Sequence, residues 1–187
     1  MTGDPGAEEQ DLGLEGFVRE VALSVSVHRD RSPAMVWPEH EPVALLRRLA
    51  LLATARLEPL SGPWWNVLPA GPEAAPLADR LQAVLGRAVR ADYASGPFRR
   101  DSGALHKGAE ALLFPLRGSF DCTVLAPSTR AGEAPALSTA PLHLRVRPAE
   151  VLYVPARSGL SVSGGAAASV LLVLSLSEAG SGCRAAR

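Results

Sequence analysis

The sequence predicts a mainly β fold, with short antiparallel strands closing into a sandwich or barrel behind an α-helical N-terminal region. Two features carry this expectation. From Gly86 onward, short apolar segments are separated by turn signals at Ser95-Gly96-Pro97, Arg117-Gly118, Pro148 and Gly164-Gly165, and short strands at even spacing point to an antiparallel sandwich or barrel. Before Gly86, Val43, Leu46, Leu49, Ala50, Ala53 and Leu57 form one stripe at helical spacing, the mark of an amphipathic helix.

Taken in order, residues 1–14 are acidic with Gly and Pro and read as a disordered tail. Val21 to Val27 alternates Val with Ser in its later part, which predicts a half-buried strand. Pro42 introduces a helix over 43–57, closed by Pro59, Gly62 and Pro63. Trp64 to Leu68 reads as a short strand; adjacent strand residues point to opposite faces, so at most one of Trp64 and Trp65 lines a ligand site. A second helix starts near Pro76 and stops at Gly86. The expected strands are then Ala88 to Tyr93, Ala111 to Leu116, Ser119 to Leu125, Leu142 to Arg147, Val151 to Val154 and Ser169 to Ser175, with Thr129 to Pro141 as a surface loop. The organisation is a tail (1–14), an α/β region packed on the barrel (15–86), the barrel (87–178) and a flexible tail (179–187).

With 187 residues the chain is one domain, or a barrel with a helical annex, and a 47% hydrophobic content with mean hydropathy +0.11 supports a sizeable core. The 19 basic residues balance 19 acidic ones, leaving no global field to draw nucleic acid or an anionic membrane. Only Lys107 among the basic residues is lysine, a bias that matches a GC-rich coding sequence. Cys122 and Cys183 make no disulfide scaffold; Cys122 reads as a buried thiol and Cys183 as an exposed one. The acidic start is unlike a signal peptide, and the apolar run Ala166 to Leu176 is too short to span a bilayer. A cytoplasmic protein is expected.

The most informative stretch is Ala149 to Leu160, Ala-Glu-Val-Leu-Tyr-Val-Pro-Ala-Arg-Ser-Gly-Leu. It follows Leu85-Gly86, Asp92-Tyr93, His106-Lys107-Gly108 and Leu112 to Gly118 in that order. In order and spacing, residues 76–176 resemble the JmjC-like cupins, the bacterial group that contains ribosomal oxygenases. The resemblance implies a cupin-type double-stranded β-helix, or jelly roll. It implies three metal ligands in that family: a His-x-Asp pair, and a histidine five residues after the proline of the later motif. Here His106 matches the first ligand, Gly108 stands at the carboxylate and Leu160 at the distal histidine. Phe120 stands where many members use a lysine to grip the cosubstrate. One imidazole cannot build the facial triad that holds Fe(II) with open positions.

The function this implies is a metal-free relative, with no cofactor, whose barrel binds a small molecule, a peptide or a protein partner. Matching to the motif places Tyr93 and Arg157 near the ligand, with His106 and Glu110 as a residual acid–base pair. Glu110 reads either as a residue facing the barrel interior or as a solvated residue at a strand entrance. His143, Arg145 and Arg147 share one strand face, either an outward polar surface or a cationic pocket wall. An iron- and 2-oxoglutarate-dependent oxygenase with replacement ligands (Glu110, His143 or the His28/Asp30 pair) is the alternative. His28-Arg29-Asp30 reads more simply as a turn closed by Asp30 and Ser32. A non-catalytic structural or regulatory subunit is a further alternative, and family analogy adds a homodimer through barrel edges.

Overall fold

A computed structural model describes residues 5–57, 66–96, 109–125, 140–165 and 169–178. Helix α1 (Pro5–His28) is followed by strand β1 (Ala34–Val36), α2 (Val43–Leu57), β2 (Asn66–Pro69), a 3-10 turn (Pro72–Ala74) and α3 (Ala75–Leu85). The strands that follow are β3 (Arg87–Ser95), β4 (Glu110–Arg117), β5 (Phe120–Leu125), β6 (Leu142–Val146), β7 (Val151–Val154), β8 (Gly159–Ser163) and β9 (Val170–Glu178).

All described pairings are antiparallel. They form a larger sheet in the order β1-β7-β4-β9-β3-β2 and a smaller sheet in the order β6-β5-β8. Consecutive strands cross between the sheets: β4 to β5, β6 to β7, β7 to β8 and β8 to β9. That alternation is a double-stranded β-helix, as the sequence predicts. Among the described residues no helix is long and apolar enough to cross a membrane.

The larger sheet is covered on both faces, and the two-residue repeat of each strand sorts its side chains. On one face Tyr93, Leu112, Phe114, Val151, Tyr153, Leu172 and Leu174 pack against the helices. On the other, Ala94, Leu113, Leu152, Val154, Leu171 and Val173 meet Phe120, Cys122, Val124, Val146, Leu160 and Val162 of the smaller sheet. The second cluster is the barrel interior.

Two expectations fail at the N-terminus. Val21 to Val27 is helical, and α1 starts at Pro5, inside the stretch read as a tail. The Val/Ser alternation is short, whereas Leu14, Phe17, Val18, Val21 and Val25 recur at helical spacing and are all buried. Phe17 packs against Phe114 of β4, with ring centroids 5.9 Å apart. Strands β1 and β8 are absent from the sequence reading, although Leu160 and Val162 alternate with serines inside β8. The helix 43–57 and the strand 151–154 match the expected bounds, and Gly86 caps α3 in the left-handed region (φ 65°) with its N–H on the Gln82 carbonyl.

Gly118 turns the chain from β4 into β5 at φ 79°, and a Cβ there would lie 2.3 Å from the Ser169 hydroxyl. Gly118→Ala meets both a left-handed backbone penalty of ~1–2 kcal/mol and that contact. We expect at least that loss in urea denaturation, with Ser169→Ala relieving part of it.

Candidate functional site

One end of the barrel carries Arg90, Asp92 and the turn with Ser158. There β3, β4 and β8 begin while β5, β7 and β9 end, and the turn 155–158 joins the two sheets. Strand register defines the inward rows of the larger sheet. The rim row is Arg90, Ser175, Ala111 and Val154; the next row in is Asp92, Val173, Leu113 and Leu152. Facing them on the smaller sheet, Leu160 pairs with Val124 and Val124 with Leu142.

Leu160 is buried and belongs to the interior cluster. Leu160, which the sequence resemblance aligns with a distal histidine, therefore faces inward and carries an isobutyl group. Phe120 is also interior, at the opposite end of β5. Cys122 lies between those rows, and burial, with the Asp121 carboxylate beside it, pushes its thiol up to about 12. It is an inert apolar filler.

Asp92, to which the sequence expectations give no role, is an inward-facing charge. It shares the inward face of β3 with Ala94 and is only 7% exposed. Its Oδ1 accepts from Nη2 (2.9 Å) and Nε (3.3 Å) of Arg90, which is 72% exposed. Ser158, two residues before Leu160, is buried, and its Oγ has no hydrogen-bond partner among the described residues. Asp92, Tyr93 and Ala94 are all buried, so the sequence offers no alternation there that would set the face of Asp92.

The sequence-predicted residues fall on different surfaces. His106 lies outside the described residues, as do Gly108, Trp64, Trp65 and Cys183. Arg157 is exposed on the turn at the rim, in the left-handed region (φ 66°). Tyr93 points away from the interior, into the helix-facing core. Its hydroxyl lies near the Glu73 carboxylate without good hydrogen-bond geometry. Burial, then that carboxylate, drives the Tyr93 hydroxyl pKa upward.

Glu110 also faces the helices, because the repeat of β4 sets it with Leu112 and Phe114 and not with Leu113. Neither reading of Glu110 fits: it does not face the interior, and at 2% exposure it is not solvated. Its carboxylate accepts from the Arg87 guanidinium and, at 2.9 Å, from the Tyr153 hydroxyl. Burial first, and then the Glu110 charge, raise the Tyr153 pKa.

The remaining candidates lie apart from the interior. His143 is exposed on β6, its Nδ1 3.0 Å from Thr123 Oγ1, and Arg145 donates to Ser119 (2.8 Å) on the same outward face. His28 ends α1 with Nδ1 3.1 Å from Ser32 Oγ, and Asp30 takes a left-handed turn conformation (φ 56°). Among the described residues no three His, Cys, Asp or Glu side chains converge.

Glu73 anchors the rear of β3. Its Oε1 accepts from Gly71 N–H and from Arg56 Nη1, both at 3.1 Å. Burial alone would raise its pKa, but these bonds, its own backbone N–H and the Tyr93 hydroxyl hold it below the ordinary value. A lowered native pKa gives stability that is present above the unfolded value of about 4.3 and is lost as pH falls through the native one. Glu73→Gln should therefore narrow its stability gap from wild type as pH drops below ~4, read by urea midpoints across pH.

No protein-family model matches the chain, and no curated protein matches it. Solved structures do. A Pseudomonas putida prolyl-4-hydroxylase aligns with TM-score 0.58 at 11% identity, over 87% of this chain and 100% of that one. Hazelnut (Corylus avellana) vicilin aligns with TM-score 0.43 at 14% identity, over 65% of this chain and 32% of that one. E. coli ycfD aligns with TM-score 0.43 at 10% identity, over 63% of this chain and 34% of that one. The chain spans about a third of each of the last two. At 11% identity the hydroxylase likeness speaks to architecture alone, and it agrees with the strand order: the chain has the cupin-type double-stranded β-helix fold.

Proposed function

We propose that this chain is a binding member of the cupin fold, related to the JmjC-like group, whose barrel takes a ligand without iron. The observation that carries the reading is Leu160, buried among Val124, Val154 and Val162 at the inward position where the family motif has a metal-binding histidine. An isobutyl group supplies no donor, so the described residues do not fit the facial triad. A concave apolar site with a few polar groups is what small-ligand recognition needs.

The oxygenase alternative needs substitute ligands that converge. Glu110 is bound to Arg87 and Tyr153 on the helix-facing side, His143 lies on the outward face of β6, His28 ends α1 and Asp30 sits in the turn after it. Residual acid–base chemistry would fall to His106, without Glu110 as its partner. The test is turnover. With Fe(II), ascorbate and 2-oxoglutarate, we expect succinate at the level of a protein-free control. Sustained succinate formation that His106→Ala abolishes would overturn the reading.

A further inference from the structure

We propose that the barrel mouth recognises a small apolar molecule carrying an ammonium group, with Asp92 as its anchor and Ser158 as a second polar contact. This rests on the binding reading above and assigns its ligand class.

Three observations at the same end of the barrel point this way. The first is depth. Asp92 stands one inward row below Arg90, ~7 Å further in at the usual strand rise, beside Val173 and Leu113 in register. A carboxylate in such surroundings is costly unless a donor or a cation meets it. The second is the way Asp92 is neutralised. Its partner is a largely exposed arginine reaching in from the rim, and both contacts fall on Oδ1. A solvent-exposed guanidinium holds such a pair weakly, so a ligand ammonium can replace it at little cost. The third is Ser158. Its hydroxyl is buried, unpartnered and two residues from inward-facing Leu160, and an unpaired buried hydroxyl is a standing penalty that a bound polar group removes.

Charge decides between ligand classes. The inward side chain that a deep ligand group would meet is the Asp92 carboxylate, paired with Arg90: an ammonium can take the place of the guanidinium there, whereas a carboxylate ligand has no such exchange to make. Leu160, Val124 and Val154, buried side chains of the interior cluster nearest the rim, are the apolar groups that a short alkyl chain on that head group would meet.

The test is calorimetric titration of the full chain with hexylammonium, hexanol and hexanoate. Wild type should bind hexylammonium about tenfold or more tightly than hexanoate, the usual advantage of a hydrogen bond to a charged group. Asp92→Asn should erase that preference while leaving hexanol affinity within about twofold. Arg90→Ala should strengthen hexylammonium binding, because the competing internal cation is gone; this variant guards against a folding defect in Asp92→Asn. Ser158→Ala should weaken hexanol and hexylammonium alike. Hexanoate binding as tightly as hexylammonium, or Arg90→Ala and Asp92→Asn both leaving amine affinity unchanged, overturns the assignment. Hexanol binding that Leu160→Trp blocks, without an amine preference, sinks Asp92 alone. No binding by any of the three probes sinks the broader binding reading with it.

Discussion

Glu110→Ala should cost about 3–5 kcal/mol of folding stability, the usual consequence of breaking a buried ion pair from one side. Glu110 and Arg87 have side-chain exposures of 2% and 12%, and Arg87 Nε has no partner even in the intact pair. Removing the carboxylate leaves the guanidinium and the Tyr153 hydroxyl without their acceptor. The three residues belong to β3, β4 and β7, so the loss falls on the helix-facing side of the larger sheet. Urea denaturation measures it directly. A double variant, Glu110→Met with Arg87→Met, should recover much of the loss, because a well-packed apolar pair avoids the desolvation penalty. If Glu110 were instead an acid–base group of the barrel, its replacement would leave stability nearly unchanged and alter activity.

Phe120→Ala should cost about 3–5 kcal/mol through the lost transfer energy and the cavity it leaves. The ring is 1% exposed at the start of β5, in the interior cluster with Val146, Leu171 and Val173. Phe120→Lys should be worse. It places an ammonium among the apolar side chains of the interior cluster, where a charge is costly. A stable, folded Phe120→Lys protein that binds 2-oxoglutarate would show that this end of the barrel is built for the cosubstrate after all.

How legible the molecule is from its sequence depends on how many faces each element buries. Helix α2 and strand β7 stand out because one period dominates each. Helix α1 does not, because a five-residue Val/Ser alternation sits inside a longer helical stripe from Leu14 to Val25. The faces of β3 and β4 are the costliest ambiguity. Both strands belong to a sheet packed on two sides, so Ala111 to Pro115 is continuously buried and its alternation is invisible. For that reason the sequence resemblance sets Glu110 and Tyr93 toward the barrel interior and gives Asp92, one residue from Tyr93, no role. The inward side of Leu160 comes from the register of β8 with β5 and its alternation with Val162, a short strand that the sequence expectations do not contain.

The most direct test of the central claim is the iron content of the protein purified from iron-supplemented cells and again after anaerobic reconstitution with Fe(II). If the barrel is the metal-free one proposed above, the protein should retain iron far below one equivalent, and His106→Ala should make no difference. One tightly held equivalent of iron that is lost in His106→Ala would contradict it.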